Sequence, residues 1–382
     1  MKTHIFNPWN DLALANSTAT FTPPLSSLKL ADAGQCLPIW YGDKGDFFIG
    51  AANRKWLDEI FSTFDISVIP ALGHIPELEI VPWGWSAFTY RHLINLGCKE
   101  SQLPDLTKIE GFRTLSGRCH SSILLNDFIN KFPTLCANRN GEKTPFIAFD
   151  TQTAMEHIRD IGVAIIKLPW SGAGRGQQIS NRTTLSELET RITGMIKHQG
   201  AVEITPFYNK ILDFAMLWEQ PGKFAGYSLF DCDSHGGWKG NILMSDFEIE
   251  RKILETYQNN INFEEIKEYL GRLIELQSEK FDYHGPVGVD FIVARQNDGN
   301  FIVPVEINWR RTMGHVSHRL ANKFMAKDSC GNFFIVPSNK YLPPYHNIKN
   351  CNIQDKMITD GILDLTPPGG DFRFILNVTS FK

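Results

Sequence analysis

One stretch of the chain constrains its fold more than any other. Residues 164–167 read Ala-Ile-Ile-Lys and lead into a loop that contains Gly172, Gly174 and Gly176. An apolar run followed by closely spaced glycines predicts a buried strand that feeds a flexible loop. An unpaired ammonium in an apolar setting costs several kcal/mol, so we expect Lys167 to reach an anion or water.

The glycine loop, residues 168–176, has the groups needed to bind a phosphate. Its glycines allow backbone N–H groups to approach phosphate oxygens, and Ser171 and Arg175 are further donors. The lysine precedes the glycines, so the pattern is not GxxxxGK[ST], and the chemistry of that loop does not follow. An ordinary glycine-rich hairpin explains the pattern equally well.

A second feature is a predicted hairpin near the end of the chain. Two apolar runs, residues 288–293 and 301–308, are joined through Asn297-Asp298-Gly299, which predicts a hairpin with a three-residue loop. Centring that loop on Asp298 sets Asp290 opposite Glu306. Period-two alternation adds Asn308 to the same face.

This hairpin predicts a metal site. Two carboxylates about 5 Å apart across a ladder repel each other unless a cation lies between them. Carboxylate and amide oxygens are hard ligands, which suit Mg²⁺ bridging substrate phosphates better than zinc or copper. Asp290, Glu306 and Asn308 are therefore candidate metal ligands. The alternative is that these side chains are solvated on an open sheet face.

Together these features resemble the ATP-grasp enzymes. The matching segments run in the family's order over residues 115–325, namely Lys167 with its glycine loop, a hinge at 202–214, Gly288-Val289-Asp290 and Glu306-Ile307-Asn308-Trp309-Arg310. The resemblance implies an ATP-grasp fold of mixed α/β and α+β class, in which an N-terminal α/β domain precedes two α+β subdomains that clamp ATP. It also implies Mg²⁺, with Mn²⁺ as an alternative, on the acidic strand pair.

The resemblance implies a ligase. Such enzymes join a carboxylate to an amine through an acyl phosphate, so the expected partners are a small-molecule or peptide carboxylate and an amine acceptor. Lys167 and Arg310 would be catalytic, because a guanidinium near a transferring phosphoryl group stabilises the charge that develops there. A kinase on the same fold and a non-catalytic ATP-binding regulatory protein are the alternatives.

Further ATP contacts follow from the resemblance. A basic residue near Arg118 touches a phosphate in the family, although a surface arginine is the other interpretation. Thr205 and Phe207 lie in the predicted hinge beside the adenine site. The family commonly has a glutamate directly before the hinge proline, whereas this chain has Thr205 there and Glu203 two residues earlier.

Two more residues complete the predicted nucleotide site. Asp213 matches an acidic residue that holds the ribose hydroxyls, a role suited to a carboxylate that accepts two hydrogen bonds. Lys239 would reach the phosphates from a glycine-rich loop, or else remain solvated. His315 and His318 are spaced three apart, but no third ligand accompanies them. A helix cap or a core position therefore explains each histidine better than zinc does.

The 382 residues are too many for one small core, so we expect several domains. Apolar runs at 37–41, 47–49 and 66–69 predict strands, and helical spacing at 86–96 predicts a helix, which together indicate a small α/β domain. A helix capped by Asn10 or Asp11 precedes them. The predicted divisions are 1–110, 111–200 as the small ATP-grasp subdomain, 201–326 as the large one, and 327–382 as a tail that packs back on the core.

Composition excludes several partners. The chain has 38 basic and 42 acidic residues and no long basic cluster, so nucleic acid is not expected. Seven dispersed cysteines without a CxxC pair indicate reduced thiols. No signal-like segment or membrane-length apolar run is present, so we expect a soluble, cytoplasmic protein that does not bind membranes. The sequence leaves open whether it forms a homodimer.

Overall fold

Three β-sheets organise the chain. The computed structural model describes residues 1–71, 73–137, 144–172, 176–233, 236–296, 299–339 and 344–381. Two of the sheets have four strands and the third has nine. Each sheet is built from one continuous part of the sequence.

The first sheet forms an N-terminal α/β unit. Its strands are parallel, in the order β3-β2-β1-β4. Parallel neighbours require crossover connections, which helices supply here, and this agrees with the α/β class predicted for this region. The elements are β1 (Lys2–Ile5), α1 (Asn10–Asn16), α2 (Leu25–Gly34), α3 (Pro38–Tyr41), β2 (Phe47–Phe48), α4 (Arg54–Thr63), β3 (Ile69–Pro70), β4 (Glu79–Pro82), α5 (Ala87–Asn95), α6 (Leu106–Leu115) and α7 (Arg118–Lys131).

Two strand predictions in this unit need correction. The run at 37–41 is not a strand, because α3 occupies it and its residues are all buried. Short apolar runs look alike in buried strands and buried helices, and Pro38 at the helix start favours the helix. The strand expected at 66–69 begins only at Ile69. Strand β2 and helix α5 lie where the sequence predicts them.

The predicted cap of α1 is also wrong. Trp9 is the N-cap residue and makes no side-chain capping bond, whereas Asn10 and Asp11 already lie in the first turn of the helix. An acidic side chain in a first turn interacts favourably with the helix dipole. Because Asp11 is not the capping residue, its carboxylate is available to contact another part of the chain.

The second sheet is antiparallel and carries the glycine loop. Its order is β5-β8-β6-β7, and Lys167 pairs with Gln177 across β6 and β7. The loop is therefore the connection of a hairpin. Helices α8 and α9, capped by the side chains of Asp150 and Thr184, pack on the sheet. The elements are β5 (Phe146–Ala148), α8 (Thr151–Ile161), β6 (Ala164–Lys167), β7 (Gln177–Ile179), α9 (Leu185–Gln199) and β8 (Val202–Pro206).

The third sheet is antiparallel, in the order β13-β12-β9-β10-β11-β14-β17-β16-β15. Residues from the predicted C-terminal tail supply four of its nine strands, β14 to β17. Helix α2 of the N-terminal unit packs against β17. The elements are β9 (Asn209–Gln220), β10 (Lys223–Cys232), β11 (Trp238–Leu243), α10 (Asp246–Tyr257), α11 (Phe263–Phe281), β12 (Val287–Gln296), β13 (Gly299–Asn308), α12 (Met313–Phe324), β14 (Ser329–Pro337), β15 (Cys351–Gln354), β16 (Met357–Asp364) and β17 (Phe372–Ser380).

The hairpin of β12 and β13, called the acidic hairpin below, has the predicted register at Asp290 and Glu306. Asp290 pairs with Glu306 across β12 and β13, as predicted. The predicted three-residue loop is wrong, however, because Gln296 pairs with Gly299 and only two residues connect the strands. A bulge beside Pro304 inserts one residue and restores the expected pairing. Proline cannot donate to a ladder, which is why a bulge is favourable there.

Arg311, a buried residue that forms an ion pair with the partly exposed Glu219, joins the large sheet to the N-terminal unit. Arg311 Nη2 donates to Glu219 Oε1 at 3.0 Å, and the guanidinium lies 4.5 Å from the centre of the Tyr41 ring. The backbone N–H of Arg311 donates to the carbonyl of Trp83 at 2.9 Å. Burial raises the pKa of the Glu219 carboxyl, but the charge and hydrogen bond of Arg311, together with smaller effects of His315 and Arg319, outweigh it and lower this pKa to about 2.

In the part of the chain that the structure describes, no helix combines the length and the apolar character needed to cross a bilayer.

We expect Glu219→Gln to lower the free energy of unfolding by about 1–3 kcal/mol near neutral pH, because a charge-assisted hydrogen bond to a buried guanidinium is lost. The folded pKa of Glu219 lies below its ordinary value of 4.5. The pair therefore stabilises the fold above that pH, and this contribution is lost as the pH falls towards 2. Urea denaturation at several pH values should show the difference between wild type and variant shrinking in that range.

Glu264→Gln is the matched control, since the Glu264 side chain is 76% exposed and forms an ion pair with Lys267. It should change the stability by less than about 1 kcal/mol. The role assigned to the ion pair would be contradicted if the difference in unfolding free energy between wild type and Glu219→Gln stayed constant from neutral to acidic pH.

Candidate functional site

The two antiparallel sheets, together with helices and loops of the N-terminal unit, line one cavity of about 770 Å³. This volume falls in the range of small-molecule binding sites. The second sheet, which carries the glycine loop and is called the small sheet below, supplies part of the wall. The acidic hairpin and helix α1 supply further parts. The cavity brings together nine of the residues that the sequence singles out, namely Lys167, Gly172, Thr205, Phe207, Asp213, Asp290, Glu306, Asn308 and Arg310.

Lys167 connects the small sheet to the acidic hairpin. Its side chain is largely buried, and its ammonium lies 3.3 Å from Glu203 Oε1 and 3.4 Å from the carbonyl oxygen of Val305. Glu203 is buried on the neighbouring strand β8 and accepts a hydrogen bond from Ser122 Oγ at 2.8 Å. The sequence expectation that Lys167 reaches an anion is thus met by Glu203. The ammonium also lines the cavity, where a ligand phosphate could approach it.

Arg118 is a buried cation, so its interpretation as a surface residue is wrong. It starts helix α7 and donates through Nη1 to the Leu168 carbonyl and to Ser171 Oγ, both at 2.7 Å. Through Nη2 it donates to Glu306 Oε1 at 2.5 Å. Arg118 therefore ties the start of the glycine loop to the acidic hairpin, and it lies in a small secondary cavity beside the main one.

Asp290 and Glu306 form a strained pair of acids. Burial, and then the nearby charge of Glu306, raise the pKa of the Asp290 carboxyl to about 7. Asn308 donates from Nδ2 to Asp290 Oδ2 at 3.0 Å, and Glu306 is the cross-strand partner of Asp290. A raised carboxyl pKa indicates that a second negative charge is unfavourable here without a cation.

The donor set fits a hard divalent cation. Two carboxylates and an amide offer only oxygen ligands to a metal, as Mg²⁺ requires. Within the described ranges, no group of three or more His, Cys, Asp or Glu side chains is arranged to hold a metal unaided. An ion on this hairpin would accordingly take its remaining ligands from water and from the phosphates of a nucleotide.

Arg310 is held by Asp11 from the N-terminal unit. The guanidinium donates from Nε to Asp11 Oδ1 at 2.7 Å and from Nη2 to Asp11 Oδ2 at 2.8 Å, a bidentate pair. Asp11 also lies against the glycine loop, because a Cβ at Gly172 would come within 2.4 Å of Asp11 Oδ2. A larger residue at this position would force the Asp11 side chain to move. Asp11 thus fixes the orientation of Arg310 and the path of the loop together.

The predicted hinge forms another part of the cavity wall. Thr205 lies on β8 and is buried, whereas Phe207, which follows that strand, is 45% exposed and donates its backbone N–H to the Val163 carbonyl. Burial raises the pKa of the Asp213 carboxyl on β9, even though Lys210 lies 2.7 Å from it. The ion pair with Lys210 partly neutralises the charge of Asp213, which lines the cavity.

The structure does not place every predicted residue in the cavity. Lys239 is exposed on β11, and the described lining includes its neighbours Trp238 and Asn241 but not Lys239 itself. Ser171 contacts Arg118 in the secondary cavity, and Gly176 ends the loop with a φ of +73°. Gly174 and Arg175 lie outside the described residues.

Sequence reasoning missed three residues of the site. The sequence predicts a role for Asp11 only as a helix cap, places Glu203 two residues before the position where the family has a glutamate, and assigns no role to Lys210. Period-two alternation on β8 places Glu203 and Thr205 on one face, so strand periodicity could have found Glu203. The contact of Asp11 with Arg310 spans 299 positions and has no local signal.

The histidines have structural roles, as expected. His315 Nδ1 lies 2.9 Å from Thr312 Oγ1 within a capping box at the start of α12, and its Nε2 lies 3.1 Å from the Trp218 carbonyl. Burial lowers its pKa to about 4, so the ring is neutral near pH 7. His318 contacts Asp246.

Comparison with solved structures identifies the fold. A biotin carboxylase from Campylobacter jejuni, in a β-γ-ATP complex, superimposes over 100% of this chain and 88% of its own, with a TM-score of 0.51 and 11% identity. The chain has the ATP-grasp fold. A phosphoribosylamine–glycine ligase from Thermotoga maritima also matches, over 100% of this chain and 93% of its own, at a TM-score of 0.48 and 13% identity. No protein-family model matches the sequence, and no curated protein is significantly similar to it.

The ATP-grasp fold explains the position of the cavity. It lies between the small sheet, which carries Lys167 and the glycine loop, and the large sheet, which carries the acidic hairpin. In this chain the N-terminal unit closes a further side through α1. The two sheets therefore face each other across the residues that the sequence predicts as catalytic and metal-binding.

We expect Arg118→Lys to loosen the start of the glycine loop. A lysine ammonium cannot bridge the Leu168 carbonyl, Ser171 and Glu306 as the planar guanidinium does. The Trp170 amide, which donates to Gln199 Oε1 at 2.9 Å, should exchange with deuterium roughly tenfold faster, equivalent to ~1.4 kcal/mol of local stability.

The control is Arg159→Lys, because Arg159 is exposed on α8. It should leave exchange at Trp170 unchanged. Equal exchange rates in wild type and Arg118→Lys would show that Arg118 does not hold the loop.

Proposed function

We propose that this chain is an ATP-dependent ligase that joins a carboxylate to an amine through an acyl phosphate. One observation carries the proposal. Lys167 and Gly172 from the small sheet and Asp290, Glu306 and Asn308 from the large sheet line the same cavity. A nucleotide between the sheets would have its phosphates beside both groups. The β-γ-ATP complex of the biotin carboxylase with the same fold supports nucleotide binding by this chain.

The nucleotide is proposed to lie with its base at the hinge. Ile165, Ile179 and Phe207 line that part of the cavity with apolar surface, which suits an adenine ring. Lys167 and the N–H groups of the glycine loop would bind the phosphates, and Asp213 is the candidate for the ribose hydroxyls. The predicted contacts of Ser171, Gly174, Arg175 and Gly176 remain part of this proposal.

Asp290, Glu306 and Asn308 would hold Mg²⁺. The ion supplies positive charge that screens the phosphate oxygens during transfer. Arg118 would keep Glu306 in place while the ion binds, since it already holds one Glu306 oxygen. The reaction demands little covalent chemistry from the protein, because positioning and charge stabilisation account for most of phosphoryl transfer.

The proposed reaction has two steps. A carboxylate oxygen of the substrate attacks the γ-phosphorus of ATP, and ADP leaves as the bond from the γ-phosphorus to the bridging oxygen breaks. The amine then attacks the acyl carbon, phosphate departs, and the amine loses a proton. Arg310, oriented by Asp11, stabilises the charge on the transferred group in both steps.

A hydroxylamine-trapping screen tests the reaction class. With MgATP, pooled carboxylates and hydroxylamine in place of the amine, a ligase of this kind should release phosphate and form a hydroxamate, because hydroxylamine attacks an acyl phosphate. A stable phosphorylated product without hydroxamate would indicate a kinase. Nucleotide binding without turnover for any substrate would indicate a regulatory protein and overturn the proposal.

We expect Glu306→Gln to reduce kcat by at least about 100-fold, because an amide is a weak Mg²⁺ ligand and charge stabilisation is lost. The Kd for ATP, measured by calorimetry, should rise by much less, since the base and the remaining phosphate contacts persist.

Glu268→Gln is a suitable control, because Glu268 is exposed on α11. It should leave both the kcat and the ATP affinity unchanged. Wild-type turnover in Glu306→Gln would refute the metal assignment.

A further inference from the structure

One end of the cavity has a wall of apolar side chains. Its members are only partly buried, apart from Trp83, although all of them belong to a single hydrophobic cluster with the core of the large sheet and the N-terminal unit. Partial exposure inside such a cluster arises because these side chains face the cavity. The apolar wall consists of Leu30, Trp83, Trp238, Met313, Ile335 and Phe372.

The wall comes from six separate elements or loops. Leu30 lies on α2 and Trp83 follows β4, so the N-terminal unit supplies one side. Ile335 and Phe372 lie on β14 and β17, which come from the part of the chain outside the sequence resemblance to ATP-grasp enzymes. The sequence resemblance therefore does not account for this side of the wall.

Little net charge is available to a substrate at this end. Asp11 and Arg310 line the cavity here, and they neutralise each other in a bidentate pair. Asp233, in the loop before Trp238, accepts a hydrogen bond from the Gly237 N–H at 2.8 Å. Trp238 Nε1 donates to Asn241 Oδ1 at 3.0 Å, so its polar atom is already occupied. A second phosphate or a multiply charged substrate would find few partners among these residues.

The apolar wall adjoins the proposed reaction centre. Met313 starts helix α12 three residues after Arg310, and both line the cavity. Arg310 interacts electrostatically with Asp290 and Glu306 on its other side. A carboxylate placed between Arg310 and the γ-phosphate of a nucleotide would therefore direct the rest of its molecule towards the wall.

We propose that the carboxylate substrate carries a branched aliphatic or aromatic body that packs against the apolar wall. This inference rests on the ligase function proposed above. An apolar pocket distinguishes substrates that differ by one methylene by about 10–200-fold. Substrates with leucine- or phenylalanine-sized bodies would cover the apolar wall, whereas acetate-sized substrates would leave the wall in contact with water. Substrates with an acidic or basic side chain would place an unpaired charge against the wall.

The hydroxamate assay also tests this inference, with carboxylates of graded size and charge. The kcat/KM should rise at least about tenfold from an acetate-sized to a leucine-sized body and should be lowest for aspartate- and lysine-sized bodies. Hydroxamate formation that is fastest with a small or charged carboxylate would overturn the inference and leave the ligase proposal intact. No hydroxamate with any carboxylate would overturn both.

Variants of the wall provide an independent test. Leu30→Ala and Ile335→Ala should each lower kcat/KM for the leucine-sized carboxylate by roughly tenfold or more, chiefly through KM, with a much smaller change for the acetate-sized one. Thermal unfolding identifies any variant that fails to fold, and the use of two sites keeps the test decisive. The control is Leu28→Ala on the same helix, since Leu28 is 41% exposed and should not alter the size preference. An unchanged preference in both wall variants would refute the assignment.

Discussion

The structure of the site depends on two carboxylates that the acidic hairpin holds opposite each other. Asp290 and Glu306 lie on paired strands, and the pKa of Asp290 is raised to about 7 by burial and by its neighbour. Such a pair is tolerated because cations surround it. Arg118 binds Glu306 directly, and the Arg310 charge acts on both acids. The surrounding positive charge explains why segments distant in sequence converge here.

Each of those cations is itself positioned by a partner from another part of the chain. Lys167 contacts Glu203, Arg118 contacts Ser171, and Arg310 is clamped by Asp11. The glycine loop passes so close to Asp11 that a side chain at Gly172 would collide with it. The loop, the hairpin and the N-terminal unit therefore form one connected polar network around the cavity. A ligand phosphate would enter a region whose donors are already oriented, which lowers the cost of reorganisation on binding.

The ends of the cavity are built from different kinds of residue, and this difference bears on function. Lys167, Asp290 and Glu306 form the charged centre, while the apolar wall of Leu30, Trp83, Trp238, Met313, Ile335 and Phe372 closes one end. Strands β14 and β17 complete the large sheet and also bring Ile335 and Phe372 to that wall. The same strands thus contribute to stability and to the proposed choice of substrate.

The sequence alone determined the features that depend on local pattern. Strand β6 with its lysine, the hairpin of β12 and β13, and helix α5 follow from periodicity and turn residues, which act over a few positions. Local pattern was insufficient at α3, where burial decides between helix and strand. It was also insufficient in the β12–β13 hairpin, where the pairing of Gln296 with Gly299 and the bulge beside Pro304 offset each other. Only the tertiary structure placed Asp11 on Arg310 and Arg118 on Glu306, because contacts across 299 and 188 positions are set by the packing of whole sheets and leave no periodic trace in the chain.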